Sequence, residues 1–216
     1  MSVSSLATIV VLNLLGALSP GPDTILITRL ATKSRQHALA AATGIQVGVF
    51  MWNTLTVLGA AALLTAFPQL LGLVQLLGGS WLLYMGFSTF KAGWLSRNAV
   101  PMSLAEQEAQ LGRLRHSFRT GLATNLSNPK IVLFLSALIA PMLPASPSLG
   151  VAITLILAMS LSCYAMFILI SFVVSTKAVR RKLLAAGPWI DIAAGTFFMI
   201  AGIALAVTGF RDIFGI

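Results

Sequence analysis

Ser19-Pro20-Gly21-Pro22-Asp23 stands near the end of the first apolar segment of this chain, and Ser127-Asn128-Pro129-Lys130 stands inside the fourth. Each stretch breaks a long greasy helix with proline and then sets a full charge where hydrocarbon is expected. In a bilayer, irregular backbone survives only where protein buries it or where it lines a watery cavity. A charge near the centre of a spanning helix costs roughly 2.5–3.5 kcal/mol on insertion scales, so it normally faces an interior and often a transport path. Two such breaks in one chain point to a transporter.

Only 9% of the 216 residues are charged and 57% are hydrophobic, against about 25% charged in a soluble domain. Apolar runs cover about 4–28, 38–66, 69–90, 121–143, 149–175 and 187–210. Each has about 20 residues or more, enough at about 1.5 Å per residue to cross a hydrocarbon core roughly 30 Å thick. Residues 1–216 are therefore expected to form one all-α integral membrane domain of six transmembrane helices. No Lys or Arg precedes Arg29, so the first run lacks the basic leader of a signal peptide and is read as a retained helix. Cys163 is the sole cysteine, which excludes an intrachain disulfide or a dithiol relay.

The net charge of +9 reports topology. Arg29, Lys33 and Arg35 fall between the first and second runs. Lys91, Arg97, Arg113, Arg115 and Arg119 fall between the third and fourth, and Lys177, Arg180, Arg181 and Lys182 between the fifth and sixth. The turns around Phe67-Pro68-Gln69 and Pro144-Ala145-Ser146-Pro147-Ser148 carry no charge. Basic residues in alternate loops mark the cytoplasmic side, so both termini are expected outside, on the periplasmic face of a cell inner membrane. Nucleic acid is not an expected partner.

The two halves, about 1–94 and 121–216, resemble each other. Gly79-Ser80-Trp81 with Gly86 matches Gly195-Thr196-Phe197 with Gly202, and Leu18-Ser19 with Pro22-Asp23 matches Leu126-Ser127 with Pro129-Lys130. Three spans per half make the second copy enter from the opposite side, an inverted 3+3 repeat in which the first and fourth helices are Pro-broken. Between the halves, the cytoplasmic loop 95–120 holds Ser103-Leu104-Ala105-Glu106, a capping-box pattern. Leu104, Leu111, Leu114 and Phe118 follow at near-helical spacing, which predicts a short amphipathic helix on the membrane surface.

The candidate path residues cluster on the two breaks. Pro20 and Pro22 lack a backbone N–H and Gly21 is permissive, so the first helix should unwind there and free carbonyls as ligands. Asp23 supplies a carboxylate, which also suits the start of the helix that resumes after the break. Lys130 follows Arg119 by about 16 Å of ideal helix, beyond the reach of full snorkelling. Pro129, Asn125 and Asn128 surround it, and Gln46 and Asn53 add amides from the second helix. Ser127, Thr54, Ser160, Ser162 and Tyr164 read more simply as hydrogen-bond glue between helices. Ala40, Gly44 and Gly48 read as close helix packing, a ridge that would suit a homodimer as well as an internal contact. Asp191, after Gly187-Pro188-Trp189, reads as an ordinary helix-start acid. His37 and His116 are read as residues of cytoplasmic loops, with no partner at metal-ligand spacing. No catalytic Ser/His/Asp set, phosphate loop or metal cluster is present in the sequence, so no enzyme and no cofactor is expected.

These motifs resemble the lysine-exporter superfamily, in particular its RhtB-type amino-acid and homoserine efflux branch. The resemblance is carried by Ser19-Pro20-Gly21-Pro22-Asp23, the basic loop with Gly44 after it, the helix with Gly79, Tyr84 and Gly86, and Asn128-Pro129-Lys130. It implies export of a small amino acid or derivative in exchange for protons, with Asp23 and the Asn128-Pro129-Lys130 stretch in the path. An amino-acid zwitterion needs an anion for its ammonium and a donor for its carboxylate. Asp23 with the carbonyls around Gly21 could supply the first, and Lys130 with Asn128 the second. A metal or other cation exporter of the same superfamily is the nearest alternative, and a membrane assembly factor or sensor that transports nothing is the more distant one.

Overall fold

The computed structural model describes residues 2–18, 21–59, 68–98, 104–135, 139, 142–143, 147–179 and 186–214. Ser19 and Pro20 of the first motif, Phe67 and residues 144–146 of the uncharged turns, and Arg180, Arg181 and Lys182 lie outside the described residues. The described residues contain helices and no strand. In chain order the helices are α1 (Val3–Leu18), α2 (Pro22–Lys33), α3 (Arg35–Val57), α4 (Pro68–Ser96) and α5 (Leu104–Gln110), then α6 (Leu114–Leu126), α7 (Pro129–Phe134), α8 (Leu149–Val174) and α9 (Gly187–Phe214).

Three of them, α3, α8 and α9, are long and apolar enough to cross a membrane, and the pair α1 and α2 makes a fourth span if counted as one, bent by 62°. Polarity runs inside out. Leu157, Leu161 and Leu169 of α8 and Ile200, Ile203 and Val207 of α9 are exposed, while Asn13, Asp23, Asn53, Asn125 and Asn128 are buried. A water-soluble fold would leave those aliphatic faces as a costly patch, whereas lipid is a suitable neighbour for them and a poor one for the amides.

The tightest packing joins α4 and α9, which run antiparallel. Glycines recur at heptad spacing on both, and Gly79 meets Gly202 while Gly86 meets Gly195. A Cβ at Gly202 would lie 2.7 Å from the Gly79 carbonyl oxygen, and one at Gly86 would lie 2.8 Å from that of Gly195. The backbones therefore approach in a way that only small residues allow. Leu82 and Met85 of α4 and Ala194 and Phe198 of α9 then close on Leu26 and Leu30 of α2. A second core of Ile27, Ile45, Val49, Cys163 and Phe167 sits between α2, α3 and α8.

The run from Leu104 to Phe118 forms two helices. Gly112, with φ of 71°, divides α5 from α6, a backbone state that glycine adopts without steric cost. The N-terminal end of α3 is knitted to its neighbours by polar contacts. Ser34 Oγ donates to Glu108 Oε1 at 2.6 Å, and Arg35 Nε donates to Ser175 Oγ at 2.7 Å. His37, expected in a loop, lies in the first turn of α3, buried, with Nδ1 2.7 Å from Ser117 Oγ.

Candidate functional site: a buried carboxylate in a membrane-embedded cavity

Gly21 begins α2 from an extended conformation (φ −169°, ψ 176°), with Pro22 in the first turn. Pro22 suits that place, because the N–H it lacks would have no helical partner and its fixed φ already matches a helix. Asp23 follows, only 6% exposed. Its carboxylate lies at the positive end of the α2 dipole. Asn128 precedes α7 as its N-cap. Its Oδ1 accepts from the Lys130 backbone N–H at 3.2 Å and so caps α7 at Pro129, while its Nδ2 donates to Asp23 Oδ2 at 3.3 Å. Asn125, in the last turn of α6, donates from Nδ2 to the same Asp23 oxygen at 2.9 Å. One amide therefore caps α7 and reaches Asp23 in the first turn of α2.

Both donors serve Oδ2. Asp23 Oδ1 is buried and accepts no hydrogen bond among the described residues. A buried acceptor left unmatched is costly, roughly 1–3 kcal/mol and more when charged. Asp23, Gly21, Asn128 and Lys130 line one cavity of about 50 Å³ between α1, α2, α3, α7 and α8, walled on its apolar side by Val49, Phe134 and Phe167. That space suits a few waters and is smaller than the roughly 300–1,000 Å³ of sites that enclose small ligands. Ideal helices would set Asp23 and Lys130 at depths about 7 Å apart, yet both reach the same cavity.

The other expected path residues divide. Asn53 lines the cavity and donates from Nδ2 to Ser160 Oγ at 3.0 Å. Asn125 stands behind Asp23 and supports it. Gln46 is not among the cavity-lining residues; it lies about two turns nearer the α3 N-terminus than Asn53, with its Oε1 buried and without a partner among the described residues. Pro20 lies outside the described residues. For Pro129 the backbone position at the start of α7 is described.

Three contributors escaped the sequence reading. Asn13 of α1 lines the cavity and donates from Nδ2 to the Met159 carbonyl at 3.0 Å and toward Cys163 Sγ at 3.1 Å. Gly48, read as packing alone, makes room for the amide of Asn125: a Cβ there would run into Asn125 Oδ1 and lie 2.9 Å from its Cγ. Asp191, read as a helix-start acid, binds two cations across the bundle. Arg29 Nε donates to its Oδ1 at 2.6 Å and Lys33 Nζ to its Oδ2 at 2.5 Å, pinning α2 to α9. The i, i+4 spacing of Arg29 and Lys33 on one helix face was the available signal. No group of three or more His, Cys, Asp or Glu among the described residues is arranged to hold a metal ion.

The chain is similar to known proteins along most of its length. An uncharacterised membrane protein of Haemophilus influenzae is 29% identical over 207 residues, covering 95% of this chain and 97% of its own. The threonine efflux protein of Escherichia coli K12 is 26% identical over 202 residues, covering 93% of this chain and 97% of its own. An uncharacterised membrane protein of Pseudomonas aeruginosa is 31% identical over 198 residues, covering 88% of each chain. No solved structure matches the chain. The family model of the LysE type translocators matches residues 14–209, and the chain belongs to that family.

Proposed function

We propose that this chain exports a small amino acid, or an amino-acid derivative, from the cytoplasm in exchange for protons, by alternating access around the Asp23 cavity. The observation that carries the reading is the half-satisfied carboxylate: Asp23 has one oxygen held by two asparagines and the other unpartnered among the described residues, in a cavity that Lys130 also lines. The open oxygen takes the substrate ammonium, and Lys130 with Asn128 faces the substrate carboxylate. A proton arriving at Asp23 from outside weakens its hold on the ammonium, so proton and substrate exchange at one group. The threonine efflux proteins of Salmonella typhi and Escherichia coli K12, similar to this chain along most of its length, are named for the export of an amino acid.

The architecture we propose is six spans in an inverted 3+3 repeat, broken at the prolines of the first and fourth, with both termini on the periplasmic side. It is supported by the α4–α9 contact. One constant shift in numbering carries Gly79 to Gly195, Gly86 to Gly202 and Gly93 to Gly209. The cross-contacts, Gly79 with Gly202 and Gly86 with Gly195, are those a two-fold axis would make. On this topology the Arg29–Asp191–Lys33 cluster lies on the cytoplasmic side of the cavity.

Everted membrane vesicles test the reading. With a pH gradient acid inside, vesicles carrying the chain should accumulate a labelled amino acid from a panel, and collapse of the gradient should release it. Accumulation no greater than in vesicles without the chain, for every amino acid tried, would overturn it.

A further inference from the structure

Gly16 of α1 and Phe134 of α7 line the same cavity as Asp23 and Cys163. A Cβ at Gly16 would lie 2.5 Å from Phe134 Cζ and 2.6 and 2.8 Å from its two Cε atoms, so the tip of the ring is seated on bare backbone. Any larger residue at 16 would lift the ring from that seat. Phe134 also packs against an apolar core in which Ile9, Val132, Leu135 and Met159 are buried. The contact of ring with glycine is held by dispersion, a sum of individually weak attractions. The Arg29–Asp191–Lys33 contact, by contrast, holds α2 to α9 with ion pairs.

The direction of the chain sets the place of this contact. Gly16 lies in the last turn of α1, and Phe134 is the last residue of α7. With both termini on the periplasmic side, α1 approaches Asp23 from outside and α7 leads outward from Lys130. Ring and glycine then stand on the outer side of the cavity, with Phe134 about 6 Å beyond Lys130 along α7. The end of α1 is also tied to the neighbour of the carboxylate, because Thr24 Oγ1 donates to the Ala17 carbonyl at 3.1 Å.

We infer that Phe134 is a gate residue: its ring, seated on Gly16, closes the cavity toward the outer face, and export requires the ring to leave that seat. This rests on the proposed topology and alternating access, and names the group that closes one end. A zwitterion that crosses packed apolar side chains leaves its charges unpaired, at high cost. Ring and glycine therefore separate before the substrate leaves.

Cys163 supplies the probe, since it lines the cavity and is the sole cysteine of the chain. A charged, membrane-impermeant methanethiosulfonate reagent is applied to spheroplasts, from the outer face, or to everted vesicles, from the cytoplasmic face. Mass spectrometry of the purified chain gives the fraction of Cys163 modified with time. Phe134→Ala should raise the rate from the outer face at least tenfold and leave the rate from the cytoplasmic face within twofold of wild type. Gly16→Ala keeps the ring and fills its seat; it should raise the outer rate at least threefold, and it decides the matter if Phe134→Ala does not accumulate in the membrane. An unchanged outer rate in the accumulated variants overturns the inference. So does an equal rise from both faces, the mark of loosened packing, or a rise from the cytoplasmic face alone. Transport of no amino acid at all by the wild-type chain is a separate result, which overturns the export reading whatever the modification rates.

Discussion

Asp23 is held on one oxygen and open on the other, and the residues behind it are as specific as the carboxylate. Gly48→Ala would drive a methyl group into the amide of Asn125. Overpacking of this kind costs about 1–3 kcal/mol, and here the group that must move is a support of Asp23. Transport should fall at least tenfold while the protein still accumulates in the membrane, measured as initial rates per mole of chain. Asn128→Ala removes the α7 cap, about 1 kcal/mol, and one of the two Asp23 donors. It should lower both the melting temperature in detergent and the transport rate, whereas a residue that only capped α7 would move the first alone. At this scale the sequence was readable where a residue was chemically out of place. A carboxylate, an ammonium and two prolines in hydrocarbon announce themselves. Asn13 and Gly48 do not, because a lone amide in an apolar run and a glycine in a helix take their meaning from neighbours on other helices.

Among the elements, α2 is fixed at both ends. Its first turn is held by Asn125 and Asn128, and its last two turns by Asp191 of α9. Replacing Asp191 with Asn leaves Arg29 and Lys33 one turn apart without their shared counter-charge. Breaking a buried pair costs about 3–5 kcal/mol, reduced here because the two cations keep 16% and 17% exposure, so about 1–3 kcal/mol is expected. A drop in the melting temperature of purified Asp191→Asn checks this, and adding Lys33→Met should restore part of it. Gly202→Ala should destabilise by a similar amount, because its Cβ meets the Gly79 carbonyl oxygen. The glycines of α4 and α9 were read as a repeat signal; their heptad spacing, which sets them on one helix face, was the available sign of the contact. The use of Asp191 was not legible, since an acid in a first helical turn is ordinary and its partners are remote in sequence.

For the whole molecule, the all-helical and strongly apolar character was legible in composition and in the length of the apolar runs. The first motif holds the start of a helix, since α2 begins at Pro22. The start of the fourth segment was not legible, because α6 begins at Leu114, among basic residues that composition assigns to a loop. The proposed topology makes a direct expectation: alkaline phosphatase fused after Phe214 should be active, and fused after Asn98 inactive, with the reverse pattern contradicting termini on the periplasmic side. The central claim, that proton and substrate exchange at one carboxylate, is tested most directly by Asp23→Asn in proteoliposomes. Asparagine keeps the shape and the acceptor oxygen but cannot carry the proton. Counterflow of a labelled amino acid that the wild-type chain carries should persist, weakened, while its accumulation driven by a pH gradient should vanish. Gradient-driven accumulation at the wild-type level in Asp23→Asn would contradict the account.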